Sequence, residues 1–225
     1  MGKIRVVVCD DLKYMCMFFG DLLNSSETCE CVGEANSERE VRDKVKEIQP
    51  DVVLLDMQMD TSESGIKLIP EIKELSPQTD IIVISVHEEN DKIFKAIQAG
   101  ARDYLFKNAD PDDIIQSIEN VYNGKDEIRG DIVRRILDQM RNIEEKQQSI
   151  LFLVNKMRSL SERELAVVKG VCSGKTYGEI ADEINTEVVT VRTYASRILK
   201  KMGYSRMSKL TEDLNALGIM RLFKD

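Results

Sequence analysis

"VVLLDMQMDTSESG", residues 52–65, opens with four apolar residues suited to a buried strand and runs straight into a carboxylate, Asp56. A polar loop follows and closes at Gly65. A short apolar run bounded by turn residues fits a strand of a parallel sheet, covered on both faces. An acid at its carboxyl end then stands where such sheets bind their ligands.

The same grammar repeats on both sides of this stretch. Strand-like runs occupy 4–9, 31–35, 52–55, 81–85 and 103–106, and helical spacing marks 12–23, 38–48, 66–75, 91–99 and 111–122. The last helix opens with Asp110 as a cap residue and Pro111 at its first position. Five strand–helix units predict an α/β, five-stranded parallel doubly wound domain of the flavodoxin-like kind over residues 1–124. Ile132, Ile136, Met140, Ile143, Gln147 and Ile150 recur every three or four residues, so 125–156 reads as a linker helix. Its stripe suits either packing on a neighbouring domain or pairing between chains. Residues 157–225 read as a small all-α domain.

Bulk properties bound the function. The 225-residue chain, 42% hydrophobic and 32% charged, suits two domains with true cores. No apolar run approaches the roughly 18 residues of a membrane span, and the start does not read as a signal peptide. The expectation is a soluble, cytoplasmic protein without a membrane partner. Five cysteines without a second metal-ligating pair read as reduced, mostly buried thiols. The net charge is -8, of which residues 157–225, with 12 basic and 9 acidic side chains, contribute +3. The remaining -11 lies in residues 1–156, so the two halves face different partners.

Register places further groups beside Asp56. Asp10 and Asp11 follow the first strand, Ser85 closes the fourth and Lys107 follows the fifth. Crowded carboxylates call for a hard cation with oxygen ligands, and Mg²⁺ is the natural candidate. This constellation resembles the receiver domains of bacterial two-component response regulators, over residues 3–122. The resemblance implies that Asp56 accepts a phosphoryl group from a sensor histidine kinase. It also implies that Asp10, Asp11, Asp56 and the Gln58 backbone carbonyl hold Mg²⁺, Asp10 through water. Lys107 would then face the phosphoryl oxygens, while Ser85 and Tyr104 would form the switch. Where the family usually has Met-Pro after the acceptor strand, this chain has "MQM", and Asn108 follows Lys107. His87, two residues past Ser85, reads as a solvated rim histidine. "DMQMDT" (56–61) superficially resembles the D-x-D-x-T loop of haloacid dehalogenase-type phosphatases, but its second acid, Asp60, comes four residues on rather than two. An enzyme is therefore not expected.

In the second half, Ser161 and Glu164 form a capping box, with Leu165, Val168 and Val171 at helical spacing behind it. Helices are expected over 177–184 and 188–202, joined by a tight turn. Between 187 and 209 lie Arg192, Arg197, Lys200, Lys201, Arg206 and Lys209 against the single acid Glu187. A helix-turn-helix whose second helix is basic suits a DNA phosphate backbone. "LSERE" (160–164), "EIA" (179–181), "TVRTY" (190–194), "ILKKMG" (198–203) and "RMSKLTEDLNALGI" (206–219) resemble the LuxR/NarL-type output domain. The resemblance implies a recognition helix at 188–202 presenting Arg192, Thr193, Tyr194, Ser196, Arg197, Lys200 and Lys201 to double-stranded DNA. It implies a homodimer contact at 207–217, and transcription control as the output.

Overall fold

The computed structural model describes residues 2–59, 64–125 and 128–223. Two compact units divide the chain, Met1–Met140 and Arg141–Asp225, with the division inside a 29-residue helix. Part of the polar loop after Asp56, including Asp60, lies outside the described residues.

The first unit is a parallel sheet of β1 (Ile4–Cys9), β2 (Cys29–Ala35), β3 (Val52–Asp56), β4 (Asp80–Ser85) and β5 (Asp103–Phe106), in the order β2-β1-β3-β4-β5. Between the strands run α1 (Lys13–Ser25), α2 (Glu38–Ile48), α3 (Ser64–Leu75) and α4 (Asn90–Ala99), and α5 (Pro111–Tyr122) follows β5. That is the doubly wound architecture expected from the alternation, with strand order reversing between β1 and β3. Every residue of β3 is buried, as a central strand covered on both faces requires. Val53 and Leu55 join the core under α2, α3 and α4, while Val52 and Leu54 join the core under α1 and α5. Asp110 does cap α5 ahead of Pro111, but its side chain makes no cap hydrogen bond. Burial raises all five free thiols, Cys16 and Cys172 to about 11, in keeping with inert packing residues.

Helix α6 (Gly130–Arg158) spreads its expected stripe unevenly. Ile132 is buried in the first unit's core, whereas Met140 is exposed and Ile143, Gln147 and Ile150 are exposed or half-exposed. Leu153 and Met157, nearer the other end, are buried in the second unit.

The second unit continues with α7 (Glu162–Cys172), α8 (Tyr177–Glu183), α9 (Val188–Met202) and α10 (Met207–Ala216), closed by a 3₁₀ turn over Ile219–Phe223. The Ser161/Glu164 capping box forms, and a second one, Thr176/Glu179, opens α8. Gly170 lets α7 and α8 approach closely, since a β-carbon there would fall 2.6 Å from Ile180 Cγ1. Among the described residues no helix is long and apolar enough to cross a membrane.

Leu54→Ala removes a fully buried side chain from the central strand. It should cost the first unit about 3 kcal/mol. Hydrogen-exchange mass spectrometry should show that loss in sheet amides and none in α7–α10; a shared loss would contradict independent cores.

Candidate functional site

The sheet register assembles the site. Cys9 pairs with Leu55, so Asp10 and Asp56 emerge side by side at the carboxyl edge. Asp56 pairs with Ile84, which sets Ser85 one step beyond it. Ser85 pairs with Phe106, and the next residue, Lys107, donates its amide to the Ser85 carbonyl over 2.8 Å. Four residues remote in sequence, Asp10, Asp56, Ser85 and Lys107, thus meet because parallel strands fix their ends in register.

Lys107 Nζ lies 2.6 Å from Asp10 Oδ2 and 3.1 Å from Asp56 Oδ2. Both acids are buried, and Asp11, the third, is exposed. One oxygen from each of Asp10, Asp11 and Asp56 falls within 4.8 Å of the others. Burial, joined by the Asp10 charge, pushes the Asp56 carboxyl up to about 6, against the opposing pull of Lys107 and the Gln58 amide. Burial and Asp10 also raise Asp11. Burial pulls the Lys107 ammonium down, but the two acids outweigh it and raise it. A cavity of about 400 Å³ opens over this cluster, lined by Asp11, Met15, Asp56, Gln58, Lys107 and Asn108 among others.

The surroundings are built to hold these acids. Asp10 Oδ1 accepts from the Leu12 amide at 3.0 Å, and the Asn36 side chain donates to the Asp10 carbonyl at 2.8 Å. Asn36, directly after β2, drew no attention in the sequence because loop asparagines usually serve their own turn. Gly65 is required by contact: a β-carbon there would collide with the Asp56 carbonyl oxygen, and its amide donates to the Met57 carbonyl at 3.0 Å. Ser85 is buried and its Oγ accepts from the His87 amide at 3.1 Å. Tyr104 is fully buried, and its hydroxyl donates to the His87 carbonyl at 2.9 Å. His87 is half-buried rather than freely solvated, with Nδ1 2.9 Å from Lys92 Nζ.

Hard oxygen donors this close fit a small divalent cation, and the chemistry of Asp10, Asp11 and Asp56 suits Mg²⁺.

In the second unit, α9 buries Val191, Ala195, Ile198 and Met202 on one face. Arg192, Thr193, Ser196, Arg197, Lys200 and Lys201 lie exposed on the rest, with Tyr194 partly packed into the core. Among the described residues, no ion pair engages Arg192, Arg197 or Lys200. Lys201 is different, because its Nζ lies 2.6 Å from Oε2 of buried Glu164. Burial raises that carboxyl, but Lys201 and the Ser161 amide together hold it below its ordinary value. Sequence spacing identified Glu164 only as half of a capping box.

Comparisons with known proteins agree with this geometry. Residues 6–119 match the family described as response regulator receiver domain, and residues 158–212 match bacterial regulatory proteins, luxR family. The oxygen regulatory protein NreC of Staphylococcus aureus (strain JH9) is 26% identical over 209 residues, 93% of this chain and 95% of that protein. The signal receiver domain of the response regulator NarL from Mycobacterium tuberculosis is 28% identical, with a TM-score of 0.52, covering 55% of this chain and 99% of that one. The RcsB response regulator of Salmonella typhimurium, studied for DNA interaction, shares the fold at 20% identity and a TM-score of 0.56, covering 96% of this chain and 100% of that one.

The raised Asp56 carboxyl implies a pH dependence. Its folded value, about 6, exceeds the ordinary 3.8, so the folded state holds the proton longer than the unfolded one. Stability of the metal-free protein should therefore fall as pH rises from 4 to 6 through this group. Asp56→Asn should remove most of that slope and be more stable at pH 7 by on the order of 2 kcal/mol. Urea denaturation in chelator at several pH values measures it; parallel curves for the two proteins would refute the assignment.

Proposed function

We propose, from the premise that this chain belongs to the two-component response regulators and carries a receiver domain and a luxR-type regulatory domain, that Asp56 is its phosphoacceptor. The observation carrying this reading is Lys107 bridging Asp10 and Asp56 beside a third acid, at the mouth of an open cavity. An Asp56 oxygen would attack the phosphorus of a sensor kinase's phosphohistidine, forming an acyl phosphate as the N–P bond breaks. The freed imidazole keeps the electron pair and takes up a proton.

Each neighbour has a part under this reading. Asp10, Asp11, Asp56 and the Gln58 carbonyl would hold Mg²⁺, with Asp10 acting through water. When bound, the ion would neutralise charge on the transferring oxygens. Lys107 is placed to exchange its Asp56 contact for a phosphoryl oxygen. Ser85 would donate to another, and Tyr104, whose ring is already inside, would respond through the His87 backbone, whose amide Ser85 holds and whose carbonyl Tyr104 holds. The added charge, about -1.5 to -2, biases a two-state element.

Domain roles follow as residues 1–124 receiver, 125–156 linker helix and 157–225 DNA-binding domain. Helix α9 would enter the major groove of double-stranded DNA with Arg192, Thr193, Tyr194 and Ser196, while Arg197 and Lys200 hold phosphates. Lys201 would reach a phosphate only by giving up Glu164. A homodimer through α10 would match a two-fold operator, and transcription control is the output.

Incubation with acetyl phosphate and Mg²⁺ should add one phosphoryl group by intact mass. Asp56→Ala should add none, and Lys107→Ala should slow uptake by a factor of about 10². Uptake by Asp56→Ala as fast as by wild type would refute the phosphoacceptor.

Arg197→Ala and Lys200→Ala should each weaken binding to operator and non-operator DNA nearly equally. Each should also reduce the steepness of log K against log salt by about one. Unchanged slopes in fluorescence-anisotropy titrations would remove this face from the DNA contact.

A further inference from the structure

The loop between β4 and α4, Val86–Glu89, belongs to no strand or helix, and side chains bond the backbone of His87 and Glu88 within it. From the sheet side, Ser85 Oγ accepts from the His87 amide and Tyr104 donates to the His87 carbonyl. From the other side comes α6. Arg135 Nη1 donates to the Glu88 carbonyl at 2.7 Å, and Arg135 Nη2 lies 3.4 Å from the Glu88 carboxylate. The Arg135 guanidinium also sits 5.5 Å over the Phe106 ring, which meets Tyr104 edge-on at 5.7 Å. Gln139 Nε2, one turn on, donates to Asp91 Oδ1 at 3.3 Å. Ile132 anchors this part of α6, fully buried in the core that includes Tyr104, Ile93 and Ala96.

We propose that the first turns of α6, Ile132–Gln139, are a latch that senses Asp56 through the β4–α4 loop, with Arg135 as the positioning residue. The proposal rests on the reading of Asp56 as phosphoacceptor. Consecutive residues, His87 and Glu88, carry the inner and the outer bonds, so the loop cannot move at one without straining the other. If Ser85 turns toward a phosphoryl group on Asp56, it loses the His87 amide and the loop shifts. Arg135 then loses its shortest acceptor, the Glu88 backbone carbonyl. The packing of Ile132 and Ile136 and the long Gln139–Asp91 bond remain, but they lack the directional constraint of a guanidinium fork on the loop backbone. Packing alone would explain Ile132 and Ile136. It does not explain why a charged side chain supports the backbone of the one loop that joins Ser85 to Tyr104.

Full-length protein tests this by hydrogen-exchange mass spectrometry with and without beryllofluoride and Mg²⁺, alongside acetyl phosphate uptake measured by intact mass. Wild type should lose protection across 132–139 by about tenfold when modified. Arg135→Ala should show that loss before modification while taking up phosphoryl groups at the wild-type rate. Arg135→Lys, which keeps one donor for Glu88, should regain part of the protection. Circular dichroism checks that each variant is folded, and Gln139→Ala offers a milder perturbation in the same direction. Wild type that takes up the phosphoryl group without change at 132–139 overturns the latch and leaves the phosphoacceptor standing. Normal protection in unmodified Arg135→Ala also overturns the latch. Wild type that takes up nothing overturns the phosphoacceptor, and the latch with it.

Discussion

Repulsion among Asp10, Asp11 and Asp56 is the constraint to which this end of the first unit answers. Parallel register leaves the chain no freedom to separate the first and last of them, because Cys9 and Leu55 are paired one step earlier. In a buried site that repulsion is costly, and the fold meets it with the Lys107 ammonium between two of the acids. Lys107 does not also offset the cost of burial, which is the main reason the Asp56 carboxyl is pushed up to about 6. A cluster held this way remains receptive to a further cation. The neighbouring backbone is shaped to the same end: Asn36 and Leu12 fix Asp10, and Gly65 lets α3 begin against the Asp56 carbonyl.

Much of this was legible from the sequence for a simple reason. Strands buried on both faces must read as apolar runs, and the residue just past each run must reach the carboxyl edge. Asp10, Asp56, Ser85 and Lys107 could therefore be placed from strand ends alone, and α2, α5 and α9 kept their expected bounds. The contacts that escaped depend on distance in three dimensions rather than on period. Glu164 serves its own capping box, a local pattern, yet its pairing with Lys201 spans 37 residues. The α6 stripe has one continuous period, but only its ends find a core, so periodicity could not tell the buried Ile132 from the exposed Met140. Tyr104 could be recognised as an aromatic of the fifth strand; whether its ring stood in or out depended on the packing of Met57, Phe106 and Ile132 around it.

The helical unit handles a buried acid by the same physics toward a different end. Glu164 accepts from the Ser161 amide and pairs with Lys201, so its charge is satisfied twice and the α7–α9 packing is fixed. Lys201 is thereby tied inward while Arg192, Arg197 and Lys200 face solvent on the same helix. The basic residues of α9 thus resolve into one cation tied to a buried acid and three without an ion partner among the described residues, a distinction that charge counting cannot make.

These two buried acids mark the difference between a finished site and an unfinished one. Glu164, with its partners in place, lies below its ordinary pKa, as expected for a carboxylate whose surroundings favour the charged form. Asp56, with burial outweighing its partners, lies above it, in a fold that supplies one ammonium for two buried acids and a third at the rim. Nothing in packing requires that deficit, because an apolar residue at the end of β3 would continue the buried strand without charge. A chain that retains the acids there carries an electrostatic cost that a bound cation would relieve. On the proposed reading, the same imbalance lets one added phosphoryl group redistribute Lys107 and Ser85. Only a site not already satisfied by its own side chains can respond so strongly to a ligand that small.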